Sequence, residues 1–185
     1  MKRIVWLLVT VLMLTGCTGS DDCMDRALAL RSRLLAQGVE FDAMIVADFS
    51  DKAYSFGIRC VFDGQGSLIF TVTEPESIAG ITGKVSATGG KLTFDDHALA
   101  FPTLADGQLS PVSAPWVLMN TLRSGYLTSA GMEGDGIRIA IDDSYADNAL
   151  HLDIWLDEKD LPAYCEILWK GRRVLSMEIK NLRFV

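Results

Sequence analysis

Histidine is nearly missing from this chain: His97 and His151 are the only two, and an enzyme working near neutral pH usually needs such a group as general acid or base. His97 follows Asp95-Asp96 in a turn, and His151 stands opposite the apolar positions of its strand, so both read as solvated surface groups. A Gly-x-Ser-x-Gly elbow, a zinc-protease helix motif and a phosphate-binding loop are all lacking. Ser110 and Ser113 lie beside prolines at a helix start, where capping accounts for them. These absences argue against catalysis, and nothing in the sequence asks for a cofactor.

Basic residues are also scarce. Lys and Arg number 17 against 24 Asp and Glu, a net charge of −7, which argues against nucleic acid as a partner and against an anionic lipid surface as the main attraction. The acidic stretch from Asp142 to Asn148 lacks the Gly and Glu that a calcium-binding EF-hand loop places at its sixth and twelfth positions, so it reads as a solvated hairpin loop. No apolar run is long enough to span a bilayer. The longest, Ile4 to Leu14, has eleven residues where a transmembrane helix needs about 20.

That run has another reading. It follows Lys2 and Arg3 and ends in small residues, the order of a secretory signal. The stretch Leu14-Thr15-Gly16-Cys17 looks like the lipobox of bacterial lipoproteins, in which a cysteine thiol receives a diacylglyceryl group before cleavage on its amino side. The alternative is an ordinary secretory signal in which Cys17 is incidental. On the lipobox reading, residues 1–16 are removed, Cys17 is the lipidation site, 17–22 form a short tether, and 23–185 form one acidic domain whose formal charge falls from −7 to −9 with the loss of Lys2 and Arg3. The expected location is extracytoplasmic, lipid-anchored to the outer leaflet of the cell membrane or, in a two-membrane host, to the outer membrane.

Cys23, Cys60 and Cys165 remain, in a compartment where disulfides persist. Cys60 and Cys165 both fall at apolar positions of alternating runs, which leaves two readings: a disulfide between them, or two buried free thiols acting as small hydrophobes.

Residues 22 to 37 carry Met24, Ala27, Leu28, Leu34 and Leu35 at helical spacing, with Gly38 as a stop, and predict an amphipathic helix over one side of the core. From Phe41 to Phe101 the period changes to two, in runs such as Tyr54-Phe56-Ile58-Cys60-Phe62 separated by turn residues short enough for antiparallel neighbours. Ser110 to Ser124 predicts a second helix, capped by Ser113 with Pro115 in its first turn, and apolar too far round its axis to be solvated. Strand spacing then resumes through Ile179, with a tight hairpin at Lys170-Gly171-Arg172. The fold class is α+β: one strongly curved antiparallel sheet of about ten or eleven strands, with two helices on its concave side.

This order resembles the LolA/LolB-like lipoprotein-carrier family of half-barrels. Local stretches that resemble LolA-like lipoproteins are Phe70-Thr71-Val72-Thr73-Glu74-Pro75, Ile78-Ala79-Gly80-Ile81, Gly90-Lys91-Leu92-Thr93-Phe94, Ser110 to Pro115, and Arg173-Val174-Leu175 to Phe184. The resemblance implies an unclosed barrel whose concave face takes a lipid, a lipoprotein acyl chain or another hydrophobic ligand. By alternation Phe56, Ile58, Phe70, Phe94, Leu118, Leu122, Ile139, Leu152, Ile154 and Trp169 point inward. They either line an open cavity or pack as a closed core, and in the second case the protein recognises an envelope protein partner through its surface, with Trp155 as a candidate anchor. An anchored chain cannot shuttle as the soluble carrier of that family does, so a fixed receptor, a local lipid-handling protein or an envelope sensor is the expected role.

Overall fold

The computed structural model describes residues 19–88, 91–92 and 104–185. Helix α1, Gly19–Ala36, is followed by strands β1 (Val39–Asp48), β2 (Ala53–Phe62), β3 (Ser67–Glu74), β4 (Thr82–Thr88) and β5 (Lys91–Leu92). Helix α2, Ala114–Ser124, precedes β6 (Tyr126–Glu133), β7 (Gly136–Asp142), β8 (Leu150–Leu156), β9 (Pro162–Trp169) and β10 (Arg172–Phe184). The strands form one antiparallel sheet in the order β5-β4-β3-β2-β1-β10-β9-β8-β7-β6. Two five-stranded meanders thus join along β1 and β10, from Val39 opposite Phe184 to Ala47 opposite Leu175.

The sheet is curled, and α2 shows by how much. Its residues contact β2 and β3 on one side and β7 on the other. Five strand spacings separate β2 from β7, about 24 Å in a flat sheet, whereas an eleven-residue helix is only about 16 Å long. The sheet therefore wraps round the helix. Register shifts at Glu40/Asp42, Gly57/Ile58, Leu127/Ser129, Trp155/Leu156 and Arg173/Leu175 supply local bends, since a bulge increases twist and turns the strand. The β9–β10 connection has Lys170 and Gly171 both at positive φ, between Trp169 and its partner Arg172, the backbone a two-residue hairpin of matching twist requires.

Each helix is tied by side chains that reach backbone or turn groups. On α1, Arg31 donates to the carbonyls of Leu122 at 2.7 Å and Gly125 at 2.8 Å, satisfying acceptors at the C-terminus of α2 that have no partner within the helix. Arg26 donates to Asp160 in the β8–β9 turn at 2.9 Å. On α2, Trp116 donates to Gly66 O at 2.9 Å and Arg123 to Gly64 O at 2.6 Å, both in the β2–β3 hairpin.

Three local expectations need correction. The buried stripe of α1 is Cys23, Ala27, Leu30 and Leu34, while Leu28 and Leu35 are 43 % and 55 % exposed, because the helix turns the i, i+4, i+7, i+11 row toward α2 and β6. The helix begins at Gly19, so residues 19–22, expected to be tether, are helical. Ser113 does not cap α2: its hydroxyl donates to Ser110 O at 2.7 Å, inside a 3-10 turn at Pro111–Ser113 that leads into the helix.

Candidate functional site

Eight of the residues expected to face inward do so. Phe56, Ile58, Phe70, Leu118, Leu122, Ile139, Leu152 and Ile154 are between 0 and 4 % exposed and belong to one continuous apolar core. Trp169 packs against that core half-buried, and Phe94 and His97 lie outside the described residues. The concave face is filled by α2, whose Val117, Leu118, Met119 and Leu122 occupy the space between the two halves of the sheet. Burying each such side chain contributes roughly 1.5–3 kcal/mol relative to exposure. Phe70 shows how close the packing is. A Cβ on Gly83, its partner across β3 and β4, would stand 2.6 Å from the ring.

Cys60 and Cys165 are buried free thiols, and so is Cys23. A disulfide between Cys60 and Cys165 is ruled out by the strand order, since β2 and β9 are three places apart in the sheet, about 14 Å, where a disulfide needs Cα atoms within about 7 Å. Burial pushes both thiols well above their ordinary pKa, so neither is a ready nucleophile.

Open space lies at one end of the half-barrel, where the β1–β2 and β9–β10 hairpins meet. An apolar pocket of about 260 Å³ is lined by Phe49, Tyr54, Phe56, Pro75, Ile78 and Pro111. Phe49 and Tyr54 meet edge to face, their centroids 5.6 Å apart, a favoured aromatic geometry. Beside it, with Phe49 as common wall, is a cleft of about 580 Å³ bearing Asp48, Asp106, Trp169, Lys170 and Arg172. Hydrogen bonding from Ser50 N–H holds the Asp48 carboxyl below its usual range. Among the described residues expected to line a cavity, only Phe56 borders the pocket and only Trp169 the cleft. The other lining residues sit in turns, in short 3-10 segments or at the ends of strands, and a concentration of Pro, Phe and Tyr there was the available signal.

On the convex face His151 lies between carboxylates, Nδ1 2.6 Å from Asp142 and Nε2 3.4 Å from Asp153. Asp153 is 6 % exposed and accepts from Arg138 at 2.6 Å. Trp155 is held by Glu133 at 3.2 Å, by the Arg138 guanidinium 5.6 Å from its ring centroid, and by Tyr164. Asp143 accepts Leu150 N–H at 2.9 Å, closing the 142–148 stretch as a hairpin loop. No described helix is long and apolar enough to cross a membrane.

Among the described residues, ten strands in one open antiparallel sheet wrap on two helices, the half-barrel that the sequence resemblance implies. No family model matches the chain and no curated protein matches it. Among similar solved structures are a LolA superfamily protein from Nitrosomonas europaea, 10% identical with a TM-score of 0.41, covering 91% of this chain and 94% of that one. A DUF1329 family protein from Desulfovibrio piger is 8% identical, with a TM-score of 0.42 and the same coverage of 91% and 94%. Pseudomonas aeruginosa MucB, in its complex with MucA, is 12% identical with a TM-score of 0.40, and the match covers 88% of this chain and 57% of that one. What the half-barrel of this chain holds or touches has to come from its own side chains.

Proposed function

We propose that this protein is a non-enzymatic extracytoplasmic lipoprotein, anchored by acyl groups on Cys17, that binds one acyl chain or a similar hydrophobic ligand at the hairpin end of its half-barrel. The carrying observation is the apolar pocket under Phe49, Tyr54 and Ile78. At about 260 Å³ it lies just below the roughly 300–1,000 Å³ of sites for drug-sized ligands, a size suited to a single chain rather than to a bulky multi-acyl cargo. Cys17 lies outside the described residues; support for the anchor is the Leu14-Thr15-Gly16-Cys17 stretch. Two or three acyl chains give stable attachment where one would be reversible.

The test is mass spectrometry of an organic extract from the domain beginning at Thr18, produced in a bacterial envelope and purified without detergent. A stoichiometric lipid, lost when Ile78→Trp fills the pocket, is the expected result. Labelled palmitate should mark the full chain and not Cys17→Ser.

A second reading has its own observation: the described inward residues are buried in one continuous apolar core. On that reading the protein recognises an envelope partner through surface groups such as Leu28 and Leu35 of α1 or Trp155. A clean extract, reproduced after adding candidate lipids and lipopeptides, would favour it.

A further inference from the structure

Six described non-glycine residues have positive φ: Ser50, Ala105, Asp106, Asp160, Lys170 and Asn181. Four of them, Ser50, Ala105, Asp106 and Lys170, line the cleft beside the apolar pocket. Left-handed backbone at residues with a Cβ costs on the order of 1–3 kcal/mol each and persists where its surroundings hold it, often at ligand sites. Here it brings three turns, distant in sequence, to one rim.

The groups on that rim alternate in sign. Arg172 reaches Ser50 Oγ at 2.6 Å and Asp48 at 3.4 Å. Lys170 stands 3.8 Å from Asp106, with its ammonium 4.0 Å from the centroid of the Trp169 ring. Both ion pairs are long and exposed, so each partner can exchange the other for a ligand group at little cost. Trp169 adds a different element: its Nε1 is buried and has no hydrogen-bond partner, a condition that costs free energy until an acceptor meets it. Phe49 forms a wall of both this cleft and the apolar pocket.

From this juxtaposition we infer that the cleft is the headgroup half of one amphiphile site, and that its ligand is a zwitterionic phospholipid carrying a single chain. The phosphate lies between Lys170 and Arg172, the ammonium meets Asp48 or Asp106, an ester oxygen accepts from Trp169, and the chain passes Phe49 into the pocket. An anionic headgroup would satisfy the two cations and leave the two carboxylates repelled; a fatty acid would leave most of the rim unmatched. The inference rests on the acyl-chain reading above and adds the headgroup class to it.

The test uses the full chain held in amphipol and measures binding of lysophosphatidylethanolamine, lysophosphatidylglycerol, palmitate and phosphoethanolamine. Lysophosphatidylethanolamine should bind about ten-fold more tightly than lysophosphatidylglycerol or palmitate. Trp169→Phe, which keeps the ring and removes the donor, should weaken it about five-fold, and Arg172→Gln about ten-fold, both with a smaller loss for palmitate. Equal binding of all three amphiphiles, indifferent to both substitutions, would overturn the headgroup assignment and leave the acyl pocket standing. Phosphoethanolamine binding as tightly as its lyso-lipid would overturn the amphiphile and make the cleft a site for a soluble zwitterion. Failure of every amphiphile to bind would remove the acyl-chain reading itself, and this inference with it.

Discussion

Replacing Leu118 by Ala measures how solid the concave interior is. Leu118 is 0 % exposed and sits on α2 between the two halves of the sheet. Removing a buried leucine's outer carbons loses their transfer free energy and adds a cavity term, together about 2–5 kcal/mol. Alanine's better helix propensity returns only a few tenths of a kcal/mol. The core leaves little room for collapse, since Leu118 shares it with Ile139, Leu152 and Ile154, each 0 % exposed, so the loss should fall near the middle, about 3–4 kcal/mol. For a domain of this size each kcal/mol lowers the melting temperature by about 2–4 °C, which places the shift at about 6–16 °C. Urea unfolding followed by circular dichroism gives the free energy directly, with an unchanged slope showing that the compactness of both end states is preserved. Leu118→Met should cost less than about 1.5 kcal/mol. If Leu118→Ala costs under about 1 kcal/mol, α2 is not packed into the sheet in solution, and the account of a filled concave face is wrong.

Gly125 joins α2 to β6, and a Cβ there would stand 2.7 Å from both Thr121 O and Ile141 Cγ2, so Gly125→Ala should destabilise by about 1–3 kcal/mol; Gly131→Ala, with nothing within 4 Å, should be neutral or slightly stabilising in the same melts. Hydrogen bonding from Asn181, then from Arg59, lowers the Asp42 pKa, so its contribution is present above the ordinary carboxylate range and lost as pH falls through the depressed folded value. Asp42→Asn should accordingly lower the urea midpoint at pH 6 with a deficit that shrinks toward pH 3; a deficit independent of pH would refute the ionic origin. Cys60 and Cys165 should resist a thiol reagent in the folded protein and react on unfolding, with no change on reduction; a Cys60–Cys165 cross-linked peptide would contradict the strand order.

Most of the strands were legible because one face of each is buried: Ile137, Ile139 and Ile141, or Leu150, Leu152, Ile154 and Leu156, repeat every second residue, as a pleat demands. Alternation also assigned the inward side chains. It could not say whether they face a void, because that depends on α2 occupying the concavity, a long-range fact. The α1 stripe was blurred by Leu28 and Leu35, apolar residues that face outward. Nor was the pairing of β1 with β10 written in any local pattern, and it alone excludes the cysteine bridge. The cleft was least legible of all, since Ser50, Asp106 and Lys170 become neighbours only once three turns have converged.

The seam between β1 and β10 also dictates when this protein can exist. Val39 finds its partner in Phe184, so the two meanders cannot be joined until the last strand is available, and bringing such distant segments together is a slow, entropically opposed step. A chain threaded through a membrane channel would stay unfolded, and therefore threadable, until β10 emerged. The same arrangement makes truncation severe. Without β10, β1 and β9 would become two long unpaired edges in the middle of what should be one sheet, and such edges recruit other chains. A shortened product would aggregate rather than survive as a smaller half-barrel.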